Sequence, residues 1–593
     1  MAPPPGGAPP AGRRGRGREV RLRRALPVAA LLTACALVFW VRLGSYGIFD
    51  LDEGLYVEAS REMLLRGDYV TPRVNGAPFF EKPPLVYWAA AASMRLLGTS
   101  EAAARVPAAL AMTLLCLLTW ALGRRLLGPG VGLLGGLFLA LCPLSFGAGR
   151  QLTMDALLSL WVAAAIACFA MARDAPPRAA ARWLDGYWAA CALGVLTKGA
   201  PGLALPVAVA VICIALRARR GGAPFWQAAR RLAAPRGILL FLLIVVPWHV
   251  AALAASGDAF VSEYVVRQHI GRFLGGDTSH RAPFWFYVPG FLLGFFPWSL
   301  LLPGALLGLR GVARNGADPT RETLELLTVW VAVVFVVFSA SGSKLVSYVL
   351  PMYAPAALLA AWWVLRPKPA RAARRALAAG LGASAVLAAG LWALTAAYRP
   401  IIAWAEARLG ARIVIDEGTE ALVAWAASAL LLVALGTGVG CAAALAGRPR
   451  AAIGAACVGM AGFLGSAVAR GLPVLDAHYL RPLHRAAAAA GEVAMRAEAP
   501  LLIDVGSSRR PSALFFLPDA LIAAPGRVTE TADASAAARW AKGPGARVAL
   551  VSAPVARGLR ARAPAMRPVA LCGGFVVLES PGSSGPGAQT PAP

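Results

Sequence analysis

The chain has 593 residues, 58% of them hydrophobic and 15% charged, with a formal net charge of +28. Mean hydropathy is +0.62. A soluble protein of this length needs far more polar surface, so the composition specifies a polytopic membrane protein. The net charge does not indicate nucleic acid, because the arginines fall in short clusters between apolar runs rather than on one face or domain. That spacing follows the positive-inside bias of membrane loops. Eight of the nine cysteines lie in apolar runs, none in a CxxC spacing, and they read as small hydrophobes.

Residues 1–24, rich in Pro, Gly and Arg, read as a disordered basic tail. The apolar run that follows lacks a small-residue cleavage site and is expected to be a retained helix. On a criterion of ~20 apolar residues, about 13 spans lie between 25 and 470. They fall near 25–43, 105–123, 130–148, 152–172, 184–198, 200–216, 237–256, 286–308, 323–341, 345–365, 376–397, 421–446 and 451–470. Arg13 to Arg24 set the N-terminus in the cytoplasm, and alternation from there puts every dense arginine cluster inside. The outer face then carries residues 44–104, 257–285, 398–420 and everything after 471. Within the first loop, Glu53–Leu65 and Pro84–Leu97 read as amphipathic helices lying on the interface. Three strand-like runs, 501–506, 548–554 and 575–580, separated by helical segments, predict a small periplasmic α/β domain over 471–580, with a flexible tail at 581–593.

The chemistry-bearing residues gather at the outer face. Asp52 and Glu53 sit where the first span meets water, and adjacent carboxylates on a helix point in different directions. Asp52 is a candidate general base, or alternatively a helix N-cap. Asp155 opens an apolar span, where a carboxylate needs a partner or a job. Its alternative role is a tether to Arg150. Glu81-Lys82 follows an Asn75-Gly76 turn and precedes Pro83-Pro84, whose fixed backbone holds both side chains rigidly. Lys82, Lys198, Arg267, Arg272 and Lys344 are outer cations, suited to a lipid-borne phosphate or simply to snorkelling. Glu81 and His269 are a candidate pair for a divalent metal such as Zn, Mg or Mn. His249 reads as a hydrogen-bonded core residue.

These residues carry a resemblance. The patterns are DE-x-x-Y-x-E-x-x-R-E-M at 52–63, GD-x-V-T-P-R-x-N-G-x-P-x-F-E-K-P-P-L at 67–85 and A-A-R-x-P at 103–107. LTKGAPGLALP at 196–206 and SKL-x-x-Y-x-L-P-x-Y-x-P at 343–355 follow in order. The chain resembles polyprenyl-phosphate-dependent glycosyltransferases of the GT-C type, in the branch of the lipid A aminoarabinose transferases and, more distantly, the protein O-mannosyltransferases. The resemblance implies a GT-C fold in a bacterial inner membrane. It implies transfer of a sugar from an undecaprenyl-phosphate carrier to a glycolipid, protein or wall glycan on the periplasmic side. Asp52 and Asp155 take the positions required near the reaction centre, with Glu53 beside them. Glu81 resembles a metal-contacting glutamate with His269 as partner. Lys82, Arg267 or Arg272, Lys344 and Tyr348 resemble groups around the lipid phosphate. Leu55 stands where that family commonly has Arg. The rival class, a flippase of lipid-linked sugars, needs charges lining a midplane path, whereas the polar residues here collect at one face.

Overall fold

The computed structural model describes residues 26–271, 282–312, 319–366, 370–409, 415–504 and 510–580. The first helices in chain order are α1 (Leu26–Trp40), α2 (Asp52–Arg66), α3 (Leu85–Leu97), α4 (Glu101–Leu126), α5 (Pro129–Ala140) and α6 (Pro143–Arg150). They continue with α7 (Met154–Ala172), α8 (Pro177–Lys198), α9 (Pro201–Ala218), α10 (Phe225–Leu232) and α11 (Pro235–Phe260). Among the described residues nine helices are long and apolar enough to cross a membrane, or eleven if each of two bent pairs is one span. Those pairs are α5 with α6, bent by 66°, and Phe284–Gly294 with Trp298–Leu309, bent by 103°. Two further expected spans are also helical. One is α1, short at Leu26–Trp40; the other is α8, whose first turns hold Arg178, Arg182 and Asp185.

Helices α8 and α9 meet at a tight corner. Gly199 takes a positive φ of 78°. A Cβ on Gly202 would lie 2.1 Å from the Gly194 carbonyl carbon, so only small residues let the two backbones approach. The corner fixes Lys198 at the end of α8.

The first loop departs from the interfacial expectation. Helix α2 is not amphipathic; Glu53 to Met63 are all buried. The reason is that a second layer covers it. The hairpin β1 (Arg73–Val74) and β2 (Ala77–Pro78) turns at Asn75 and Gly76, both with positive φ, as a two-residue hairpin requires. The Gly76 amide donates to the buried Glu62 carboxylate at 3.1 Å.

The cover comes from the end of the chain. Strands β3 (Leu501–Asp504), β4 (Val528–Thr531), β5 (Arg547–Ser552), β6 (Arg567–Cys572) and β7 (Phe575–Ser580) form one sheet in the order β4-β3-β5-β7-β6. β3 pairs parallel with β4 and β5; β7 pairs antiparallel with β5 and β6. Alternate residues serve two cores. Leu501, Ile503, Val548, Leu550 and Val577 face the main core. Leu502, Ala549, Val551 and Leu578 face helices Ala534–Ala541 and Ala553–Arg562.

This unit docks on α2 through buried polar contacts. Arg61, 2% exposed, donates to the carbonyls of Leu514 and Leu517, both at 2.8 Å, and pairs with Asp519 at 2.8 Å. Arg66 donates to the Ile522 carbonyl at 2.8 Å. Asp50 accepts from the Ser512 amide at 2.9 Å. A Cβ on Gly54 would lie 2.6 Å from that same amide nitrogen, so the close approach needs glycine.

Candidate active site

One cavity, with about 370 Å³ of open space, is lined by Asp52, Tyr56, Lys82, Asp155, Lys198 and Tyr348 among others. Five of these six were expected from sequence as site residues. They come from four distant segments: the start of α2, the 81–84 turn, the α7–α8 pair and the first turn of Val346–Leu365. Asp52 opens α2, where the positive end of the helix dipole favours a carboxylate. Asp155 lies in the first turn of α7, and Lys198 is the last residue of α8. Each charge complements its helix end, and the two side chains form an ion pair. The Lys198 ammonium also sits 3.8 Å from the centre of the Tyr348 ring, a cation–π contact that steadies it toward the cavity.

Lys82 is held from the other side. It is buried, donates to the Glu81 carbonyl at 3.1 Å and lies 3.9 Å from the Glu81 carboxylate. Tyr56, four residues after Asp52, shares its helix face. Burial, followed by the Asp52 charge, raises the Tyr56 hydroxyl well above its ordinary pKa, so it stays a neutral donor. The cavity therefore presents two carboxylates, two ammonium groups and two phenols. That set can hold an anion while keeping a carboxylate to accept or orient a proton.

Other expected site residues sit elsewhere. Glu53, expected as catalytic, does not line the cavity. It is 2% exposed and saturated: Arg105 grips it at 2.7 and 2.9 Å, and the Phe49 and Leu152 amides donate to it at 2.9 and 3.0 Å. Arg105 also donates to the carbonyls of Tyr46 and Gly47 at 2.8 and 2.7 Å. This is a structural staple that fixes α2 against α4 and the start of α7. The alternative Arg150–Asp155 tether is replaced as well. Arg150 donates instead to the carbonyls of Val38, Val41 and Arg42 at 3.0 to 3.1 Å. Lys344 is buried and donates to the Ser341 carbonyl at 2.5 Å, while its neighbour Leu345 lines the cavity. Arg267 pairs with Glu263 at 2.9 Å with 71% of its side chain exposed. Arg272 and the His269 side chain lie outside the described residues.

Among the described residues no group of three or more His, Cys, Asp or Glu is placed to hold a metal ion. The Glu81 carboxylate lies 3.9 Å from the Lys82 ammonium group. His249 hydrogen-bonds the Val245 carbonyl and the Tyr264 hydroxyl at 2.8 and 3.2 Å, as a core histidine does. Sequence reading gave Tyr56 no role; its signal was its position four residues after Asp52.

Fold and cavity together define a polytopic membrane protein with a carboxylate–lysine site at one membrane face. Residues 81–250 match the family described as dolichyl-phosphate-mannose-protein mannosyltransferase. The chain is 36% identical over 336 residues to an undecaprenyl phosphate-alpha-4-amino-4-deoxy-L-arabinose arabinosyl transferase of Edwardsiella ictaluri (strain 93-146), covering 56% of this chain and 58% of that relative. A relative of the same description from Sodalis glossinidius (strain morsitans) is 37% identical over 331 residues, covering 55% of this chain and 56% of its own length. The chain thus spans less than two thirds of these relatives. The crystal structure of ArnT from Cupriavidus metallidurans bound to undecaprenyl phosphate matches with a TM-score of 0.76 at 25% identity, covering 95% of this chain and all of that one. The chain shares that fold, and the resemblance read in the first-loop motif is borne out.

Proposed function

We propose that this protein is an inner-membrane glycosyltransferase that moves a sugar from a polyprenyl-phosphate donor to a glycolipid of the lipid A type. Proteins and wall glycans are the lesser acceptors. The single observation behind this reading is the cavity, where Asp52, Asp155, Lys82, Lys198 and Tyr348 converge at helix ends. The relatives' names make 4-amino-4-deoxy-L-arabinose the first sugar to try. The acceptor oxygen attacks the anomeric carbon; a bond from that carbon to the acceptor forms as its bond to the carrier phosphate breaks. The phosphate leaves with the electron pair, and the nearby lysines stabilise its charge. A hydroxyl acceptor gives its proton to Asp52, whereas a phosphate acceptor needs only to be oriented. Asp155 holds Lys198 toward the leaving oxygen. The arrangement is read with the N-terminus in the cytoplasm, about thirteen spans, and the cavity and C-terminal α/β unit in the periplasm.

The test is transfer by purified protein from undecaprenyl-phosphate aminoarabinose to lipid A, read by mass spectrometry. Transfer lost in Asp52→Asn supports the reading; no product from folded wild type with any of the three acceptor classes overturns it. Reporter fusions within 217–236 and after 471 are expected to score cytoplasmic and periplasmic. A flippase needs a polar path through the centre of the spans; the charges here sit at helix ends.

A further inference from the structure

A second cavity lies at the other membrane face, and the transfer reading does not use it. Helix α7 has 19 residues and runs about 26 Å from Asp155 to its far end. There the ends of α7 and α9, the start of α8, helix α10 and the start of the helix Pro319–Ala340 enclose a pocket with about 970 Å³ of open space. Its inner wall is apolar, with Phe169, Leu184, Ile214 and Leu232. Its rim carries four arginines, Arg173, Arg217, Arg220 and Arg231, against two glutamates, Glu322 and Glu325.

The rim is not closed on itself. Arg220 pairs with Glu325, and Arg217 donates to the exposed Asp174 carboxylate at 3.3 Å beside the pocket. Glu322, however, stays 3.8 Å from Arg173 and 3.7 Å from Arg217, beyond hydrogen-bond reach. The buried Nε of Arg173 has no hydrogen-bond partner among the described residues. A buried guanidinium donor left without an acceptor is costly, and the missing acceptor is one an anionic oxygen supplies. Arg231 has no ion-pair partner among the described residues. It projects from α10, which lies beside the pocket with Trp226 73% exposed, as an interfacial helix does. Free phosphate accounts for the arginines but not for the hydrocarbon wall. A neutral lipid accounts for the wall but not for the rim.

We infer that this pocket binds one anionic phospholipid, its phosphate among Arg173, Arg217 and Arg231 and the first part of an acyl chain against Phe169, Leu184 and Ile214. The ligand class is a lipid phosphodiester of the phosphatidylglycerol type. The occupant ties five helix ends together, which makes it a stabilising lipid of the face opposite the carboxylate cavity.

The experiment uses the full chain purified in a neutral detergent. Thermal stability is read against added phosphatidylglycerol, phosphatidylcholine and inorganic phosphate, and retained lipid is counted by native mass spectrometry. Wild type is expected to be stabilised by phosphatidylglycerol alone and to retain one molecule of it. Arg173→Gln with Arg231→Gln is expected to lose half or more of that shift. Ala228→Trp, which fills the pocket from α10 without touching the ion pairs, is expected to do the same. Equal stabilisation by phosphatidylcholine overturns the assignment, as does a full phosphatidylglycerol shift in both variants. An equal shift with inorganic phosphate overturns the lipid and leaves an anion site.

Discussion

Two neighbouring regions hold carboxylates beside cations near helix ends, and they are built to opposite purposes. Around Glu53 every acceptor position is filled by Arg105 and backbone amides, and nothing opens to a cavity. Around Asp155 the partner is Lys198, which also faces open space and the Tyr348 ring. Asp52, in the cavity, and Glu53, in the staple, are consecutive residues. Saturation marks a carboxylate that holds the fold; a shared, cavity-facing carboxylate is free to change partners during a reaction.

Arg105→Ala gives the sharpest break of that contrast. Removing one partner of a buried pair leaves an uncompensated charge, at about 3–5 kcal/mol. The variant is expected to accumulate poorly and to melt early. A normal melting temperature ends the staple assignment. Asp52→Asn is the mirror case, with wild-type stability and transfer lowered by about 100-fold or more. Asp155→Asn is expected to lower transfer as much and, by leaving the buried Lys198 side chain without its charge partner, to lower the melting temperature too. Near-normal turnover in either variant removes that residue from the catalytic set.

Glu58 sharpens the comparison from within α2. Burial, opposed by the Arg61 charge and reinforced by Glu62, pushes its carboxyl up to about 7 from an ordinary 4.5. The folded state thus keeps a proton that the unfolded chain releases. The stability this gives is full below about pH 4.5 and is lost as pH rises through 7, a change on the order of 3 kcal/mol. Glu58→Gln is expected to flatten that decline in denaturation midpoints between pH 4.5 and 7.5. An unchanged slope assigns the pH dependence to other groups. The smallest expected effect is in the cavity. Lys82→Ala should weaken undecaprenyl phosphate binding by about tenfold, or 1.4 kcal/mol, with Lys82→Arg rescuing only partly. Equal thermal stabilisation of wild type and Lys82→Ala by undecaprenyl phosphate makes Lys82 a snorkelling residue.

Much of this was legible in the chain. Apolar runs reported the long helices, and polar residues at their ends reported the cavity, because charge in an apolar context carries its own signal. What hid was whatever depends on the other end of the chain. Helix α2 read as interfacial because Glu58, Arg61 and Glu62 look solvated until residues 514–519 cover them. Glu53 looked like Asp52 because its saturation comes from Arg105 and Leu152, far away in sequence. Two strands escaped notice for local reasons. β4, VTET, is short and polar at three of its four residues, and β6 carries Pro568 with a register shift beside it, as an edge strand tolerates.

The Arg61–Asp519 contact spans 458 residues of sequence. At elongation rates of ~5–20 residues per second, its two halves emerge roughly 20 to 90 seconds apart. During that time α2 waits with six carboxylate and guanidinium side chains and without its C-terminal cover. The helix carrying Asp52 therefore completes its packing only after residues 514–519, made hundreds of residues later, have closed over it.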